Sequence, residues 1–161
     1  WLKTNNIRTL SQLGSLSQKE DLSFASFITF IRRPDGLPNL KTSYKFRVKE
    51  LVTSISTEGA ISRVDSMVAH CGVGLSASAL NKVYQNTSIL IDDMKAFKIY
   101  NPAPTFSTTA LKKEPRLSKI SKIAKQLDLD SINQMIYEVE VKDRPIKEVA
   151  YGWLKLKKLI Q

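Results

Sequence analysis

The chain has 161 residues, 42% of them hydrophobic and 25% charged, a composition that suits a folded domain and excludes a disordered or low-complexity segment. Its 25 Lys and Arg against 15 Asp and Glu set a formal charge of +10, which admits an anionic partner (nucleic acid, a lipid surface, an acidic protein) without selecting one. A single cysteine, Cys71, and a single histidine, His70, exclude an intramolecular disulfide and a zinc site of the ordinary Cys/His kind.

No apolar run approaches the roughly 20 residues that span a bilayer, and the N-terminus lacks the basic-then-apolar pattern of a signal peptide. The chain begins at Trp1 rather than Met, and it reads as a processed or excised piece of a longer chain.

In chain order, the segment from Thr9 offers a Thr or Ser cap for a short helix with Leu10, Leu13 and Leu16 on one face and Gly14 weakening it. "LSFASFITF" comes next, ambiguous between a strand and a buried helical turn. Pro34 then forbids helix at Arg33, and Asp35-Gly36 supplies a turn. Leu37, Leu40 and Tyr44 recur at helical spacing, while "KFRVKELV" alternates like a half-buried strand. Ser56 or Thr57 caps a helix with Ala60, Ile61 and Val64 inward. "DSMVAHCGVG" reads as a buried strand running into a glycine-rich bend, "SASALNKVYQ" as weakly helical and "SILI" as another strand. Helix and strand thus alternate, which predicts an α/β layer architecture with some parallel pairing.

Pro102 and Pro104 then force an extended crossing segment or hinge. Beyond it the pattern is helical three times. Leu117, Ile120, Ala124 and Leu127 share the first face, Ile132, Met135, Ile136 and Val139 the second, and Ile146, Val149, Ala150, Trp153 and Leu154 the third. Asp130 or Ser131 caps the second, and Pro145 starts the third.

None of the constellations that could carry catalysis is complete. His70 and Cys71 are neighbours that a strand points to opposite faces, and no third group orients them. Asp92 and Asp93 are splayed in the same way and read as the end of a strand and a cap for the next segment. Gly72-Val73-Gly74 shares with a phosphate loop only its two glycines, so no cofactor is expected. Lys112, Lys113, Arg116, Lys119, Lys122 and Lys125 form a basic stripe, for which a solvated helix face suffices because no aromatic is interleaved for base stacking. No nucleic acid partner is therefore expected, although a basic module binding nucleic acid or an anionic membrane surface stands as the alternative reading.

Several stretches in order carry a resemblance: "TLSQLGSL", "LSFASFITFIRRPDGLPNLKTSYKFRVKEL", "GAISRVD", "ILIDDMKAFKIYNPAP", and the closing run from "ALKKEPRL" to "EVAYGWLKLKKLI". Together they resemble the substrate-binding component of quaternary-amine ABC importers, the osmoprotectant family for glycine betaine, choline and carnitine. Arg33-Pro34-Asp35-Gly36-Leu37, Asp92-Asp93 with Lys95 and Phe97, and Glu148-Val149-Ala150 are its most specific parts. The resemblance implies an α/β, type II periplasmic-binding-protein-like lobe with a crossing hinge and C-terminal helices. Residues 1–91 would form a second-lobe segment, and residues 92–161 would cross back to complete the first lobe.

The same resemblance implies a binding protein rather than an enzyme, at the periplasmic or extracellular face of the cytoplasmic membrane. It would hold a small cationic or zwitterionic solute and meet an ABC permease subunit. The ligand residues would be His70, Gly72, Val73, Tyr100 and Asn101, with no metal. The family pattern has Tyr, Thr and Asp where this chain has His70, Gly72 and Val73. The opening half of the family's first lobe would precede Trp1, and a homo-oligomer formed through the incomplete lobe is expected on that ground.

Overall fold

The computed structural model describes residues 6–98 and 105–160. The chain divides into two compact units, Trp1–Ser76 with Leu80–Lys98, and Ala77–Ala79 with Ile99–Gln161.

The first unit is built on a parallel sheet in the order β2-β1-β3, with β1 at Ser23–Phe27, β2 at Glu50–Ser54 and β3 at Cys71–Gly72. The ambiguous "LSFASFITF" resolves into both of its readings. Its first half is β1, and its second half is the helix α2, Ile28–Arg32. Strand β1 is central and buried on both faces, as parallel strands covered by helices are. Phe24 points into a cluster with Leu13, Leu22, Phe30, Leu37 and Leu40, while Ala25 points the other way, toward Ala60 and Ala69.

Helix α1, Leu10–Leu16, is capped by Thr9, whose side chain accepts from the Gln12 N–H while the Gln12 side chain accepts from the Thr9 N–H. Pro34 stops α2 at Arg32. Arg33 is extended (φ −73°, ψ 142°), as the residue before a proline must be. Helix α3, Leu37–Tyr44, buries Leu37, Leu40 and Tyr44, the three positions that its spacing predicts.

Three strand expectations are corrected. "KFRVKELV" enters the sheet only at Glu50, because Lys45 ends α3 in the left-handed region (φ 52°) and Phe46 then drops into the core beside Phe24, ring centroids 5.6 Å apart. The backbone there is held from outside the sheet: the Arg47 N–H donates to Ser17 Oγ at 2.9 Å. "DSMVAHCGVG" contributes only Cys71–Gly72, since Met67 turns with φ 59° and is 81% exposed. "SILI" forms no strand, and Ile91 alone makes a parallel bridge to Thr9, accepting from the Leu10 N–H at 2.9 Å.

Helix α4, Thr57–Asp65, covers the Ala25 face, and α5, Leu80–Val83, is a single turn.

The described part of the second unit is helical: α6, Thr108–Lys113; a 3-10 turn, Pro115–Lys119; α7, Ile120–Ala124; α8, Leu129–Glu140; and α9, Ile146–Leu156. The cap of α8 is Asp128, not Asp130 or Ser131, and it accepts from the Ser131 N–H at 2.7 Å. Val149 and Trp153 are the buried residues of α9, whereas Ile146 and Ala150 are exposed. Asn133 of α8 is buried and accepts from the Ser78 N–H at 2.9 Å. The expected hinge prolines, Pro102 and Pro104, lie outside the described residues.

Candidate functional site

In a parallel α/β sheet, ligands bind outside the carboxyl ends of the strands, where successive crossovers leave in opposite directions. The order β2-β1-β3 places that switch between β1 and β3. The chain leaves β1 at Phe27 and Ile28 and leaves β3 at Val73 and Gly74, so these residues flank the position where that rule puts a ligand. Ile55, directly after β2, is fully exposed. Ile28 and Leu75 are also exposed, so the carboxyl edge carries apolar side chains that the fold does not bury.

The glycines of the β3 bend serve close packing. None has a positive φ among the described residues. A Cβ at Gly72 would come within 2.8 Å of the Ala25 carbonyl oxygen and 3.0 Å of Val64 Cγ2, and one at Gly74 within 2.6 Å of Ile61 Cδ1. Only a bare backbone lets β3 lie this close to both β1 and α4. The Val73 N–H donates to the Ala25 carbonyl at 3.0 Å and continues the parallel ladder to the edge.

Beside this edge stands the start of α4. Ser56 is extended and its Oγ accepts from the Gly59 N–H at 3.0 Å, while a side chain at Gly59 would overlap Ser54 Oγ at the end of β2. Ser56→Ala is expected to lower stability by about 1 kcal/mol, the usual worth of a serine cap, as read from urea unfolding midpoints. An unchanged midpoint would remove the cap from the account of this edge.

His70 lies at the other end of β3. Its Nδ1 accepts from the Ser23 N–H at 3.1 Å and is 2.7 Å from Ser23 Oγ, and the His70 N–H donates to the same oxygen at 3.2 Å. Because a backbone N–H can only donate, Nδ1 is the unprotonated nitrogen of the ring. The side chain ties the start of β3 to the start of β1. Cys71 is buried, with Sγ 3.6 Å from the Ser23 carbonyl, and burial pushes its thiol up to about 12. Such a thiol stays protonated at neutral pH and is a poor nucleophile. Gly72 and Val73 stand at the carboxyl edge, two and three residues beyond His70. Tyr100 and Asn101 lie outside the described residues.

Sequence reasoning missed Phe27, Ile28 and Ile55. The available signal was positional: each stands within two residues of both a strand end and a helix start. Among the described residues no cluster of His, Cys, Asp and Glu could hold a metal ion, and no helix is long and apolar enough to cross a membrane.

The helices and the parallel sheet make a fold similar to that of the type II periplasmic binding proteins. Residues 1–156 match the profile of OpuAC, the substrate binding domain of the ABC-type glycine betaine transport system, and the chain belongs to that family. It is a family of extracytoplasmic substrate-binding domains, not of enzymes. Two solved structures share the fold. Apo YehZ from Escherichia coli is 21% identical with a TM-score of 0.74, over 97% of this chain and 58% of that one. A protein described as a glycine betaine/carnitine/choline ABC transporter is 20% identical with a TM-score of 0.75, over 96% of this chain and 56% of that one. The chain thus spans a little over half the length of these relatives.

Proposed function

We propose that the chain is the solute-binding part of an ABC importer for a quaternary amine or a related zwitterion, of the glycine betaine, choline or carnitine type. It works on the periplasmic or extracellular face of the cytoplasmic membrane and delivers its solute to a permease subunit. The observation that supports this reading most strongly is the family match over residues 1–156. The carboxyl edge of β1 and β3 is the place this reading assigns to the solute, beside Phe27, half-buried against Phe30, and Gly72-Val73. A ring face attracts a quaternary ammonium by roughly 0.5–2 kcal/mol. His70 ties the start of β3 to the start of β1, at the opposite end of the strand, and is carried as a contact from the resemblance. Tyr100 and Asn101 are carried as further contacts from the resemblance.

Isothermal titration with glycine betaine, choline and carnitine tests the reading. Saturable binding of at least one is expected. Val73→Asp, which restores the carboxylate of the family pattern, is expected to tighten choline binding by about tenfold. No heat from any of the three solutes with either chain would sink the importer reading.

A further inference from the structure

Charge in the second unit is segregated along the sequence. Residues 105–127 hold six cations, Lys112, Lys113, Arg116, Lys119, Lys122 and Lys125, against one carboxylate, Glu114. Residues 128–160 hold six cations and six carboxylates. Half of the chain's formal charge of +10 is therefore concentrated in a short segment that begins α6 and ends just beyond α7.

That segment is a two-sided ribbon. From Lys113 to Lys125 a cation recurs at every third position, and all six cations are exposed. In the 3-10 turn, residues three apart eclipse one another, which stacks Arg116 and Lys119. In an α-helix, residues three apart are neighbours, which carries the row on through Lys122. Leu111, Leu117, Ile120 and Ile123 take the intervening, half-buried positions.

Neutralisation differs sharply between the two halves. Of the six cations in the ribbon only Arg116 has an ion-pair partner among the described residues, Glu114 at 2.6 Å. Of the six later cations three have ion-pair partners among the described residues: Lys142 and Arg144 both reach Glu138, at 2.9 and 3.0 Å, and Lys157 reaches Asp128 at 3.6 Å.

We propose that this ribbon docks on the anionic phospholipid surface of the membrane. A row of exposed, long-stemmed cations with no partner carboxylates complements a planar sheet of anionic headgroups. No aromatic lies between Lys112 and Lys125 to stack a base, which separates the ribbon from a single-strand nucleic acid platform. Membership in a transport-system family puts such a surface within reach. The docking does not depend on which solute is bound.

The test is partition of the whole chain onto phosphatidylglycerol-rich vesicles and onto pure phosphatidylcholine vesicles, by co-sedimentation at low and raised salt. Binding to the anionic vesicles alone, weakening as salt rises, is expected. Each cation near an anionic leaflet is worth roughly fivefold in partition. The combined variant Lys113→Gln, Lys119→Gln, Lys122→Gln and Lys125→Gln is therefore expected to lose roughly a hundredfold or more. An equal charge removal in the first unit, Lys19→Gln, Lys41→Gln, Lys82→Gln and Lys98→Gln, is expected to lose less than about tenfold. Circular dichroism of both variants checks that the fold is kept. The proposal is overturned if anionic vesicles do not bind, if the two variants lose equally, or if a short DNA duplex binds the chain more tightly than the vesicles do.

Discussion

Gly14→Ala is expected to lower the stability of the first unit by about 2 kcal/mol or more, although alanine is the better helix former. A Cβ at Gly14 would overlap the backbone carbonyl oxygen of Tyr44. The helices have no freedom to move apart. Ser17 Oγ donates to the Gly14 carbonyl at 2.6 Å and accepts from the Arg47 N–H at 2.9 Å, and the Gln18 side chain donates to the Lys45 carbonyl. Leu13 and Tyr44 are both in the core on either side of the contact. The helix-propensity gain of Gly→Ala is about 1 kcal/mol, whereas forcing an extra methyl into a packed site costs about 1–3 kcal/mol and more where backbone is the obstacle. The clash wins. Gly152→Ala is the control: Gly152 lies within α9 with nothing near its Cβ position, so a stabilisation of about 0.5–1 kcal/mol is expected. Urea unfolding of the two variants reads the contrast, and a shift of both in the same direction would contradict this account.

Asp92→Ala is expected to lower stability by about 3 kcal/mol, and Tyr44→Phe by about 1–2 kcal/mol. Asp92 accepts from the Tyr44 hydroxyl and from the N–H groups of Ala96 and Phe97, at 2.9 and 2.8 Å, while Tyr44 Oη accepts from the Met94 N–H at 2.9 Å. Asn39 of α3 donates to the Ala96 carbonyl at 2.7 Å, and Phe97 stacks on Phe30 with centroids 6.2 Å apart. The carboxylate thus fastens the "DDMKAF" loop to α3, and Phe97 packs it on Phe30 of α2. The two substitutions share a bond, so the double variant is expected to lose less than the sum of the singles.

The pH dependence has two limbs. Burial pushes the Asp92 carboxyl up, but the donations from Tyr44, Phe97 and Ala96 outweigh it and hold the group below its ordinary value. Its contribution is therefore present above the ordinary carboxylate range and is lost as pH falls through the depressed value. Burial first, and then the bond to Asp92, push the Tyr44 hydroxyl up to about 12. That contribution is complete below the ordinary tyrosine value of 10.0 and is lost as pH rises toward about 12. Flat stability across either window, measured by urea midpoints, would separate that group from the fold.

Much of this was legible from residue order. Thr9 and Ser56 as caps, the arrest of α2 by Pro34, and the Leu37, Leu40, Tyr44 face all follow from local rules and hold in the structure. The misreadings came where alternation suggested more strand than the sheet pairs. "SILI" pairs only through Ile91, which bridges to Thr9, and a strand exists only through its ladder. Gly14 read as a weak point of its helix because its reason lies 30 positions away, in the Tyr44 carbonyl. The bond between His70 Nδ1 and the Ser23 N–H, 47 positions apart, was equally invisible in the residue order.

By itself the amino-acid order determined the α/β class, the helix starts and stops, the basic row from Lys112 to Lys125 and the likeness to a solute-binding family. Each of these is local, or a pattern carried along the chain. Only the tertiary structure decided the order β2-β1-β3 and, with it, the carboxyl edge proposed for the solute. It also decided the close approaches that require Gly14 and Gly72 and the fastening of the Asp92 loop to Tyr44. Those rest on contacts between segments far apart in sequence, where packing and backbone pairing, rather than propensity, choose the partner.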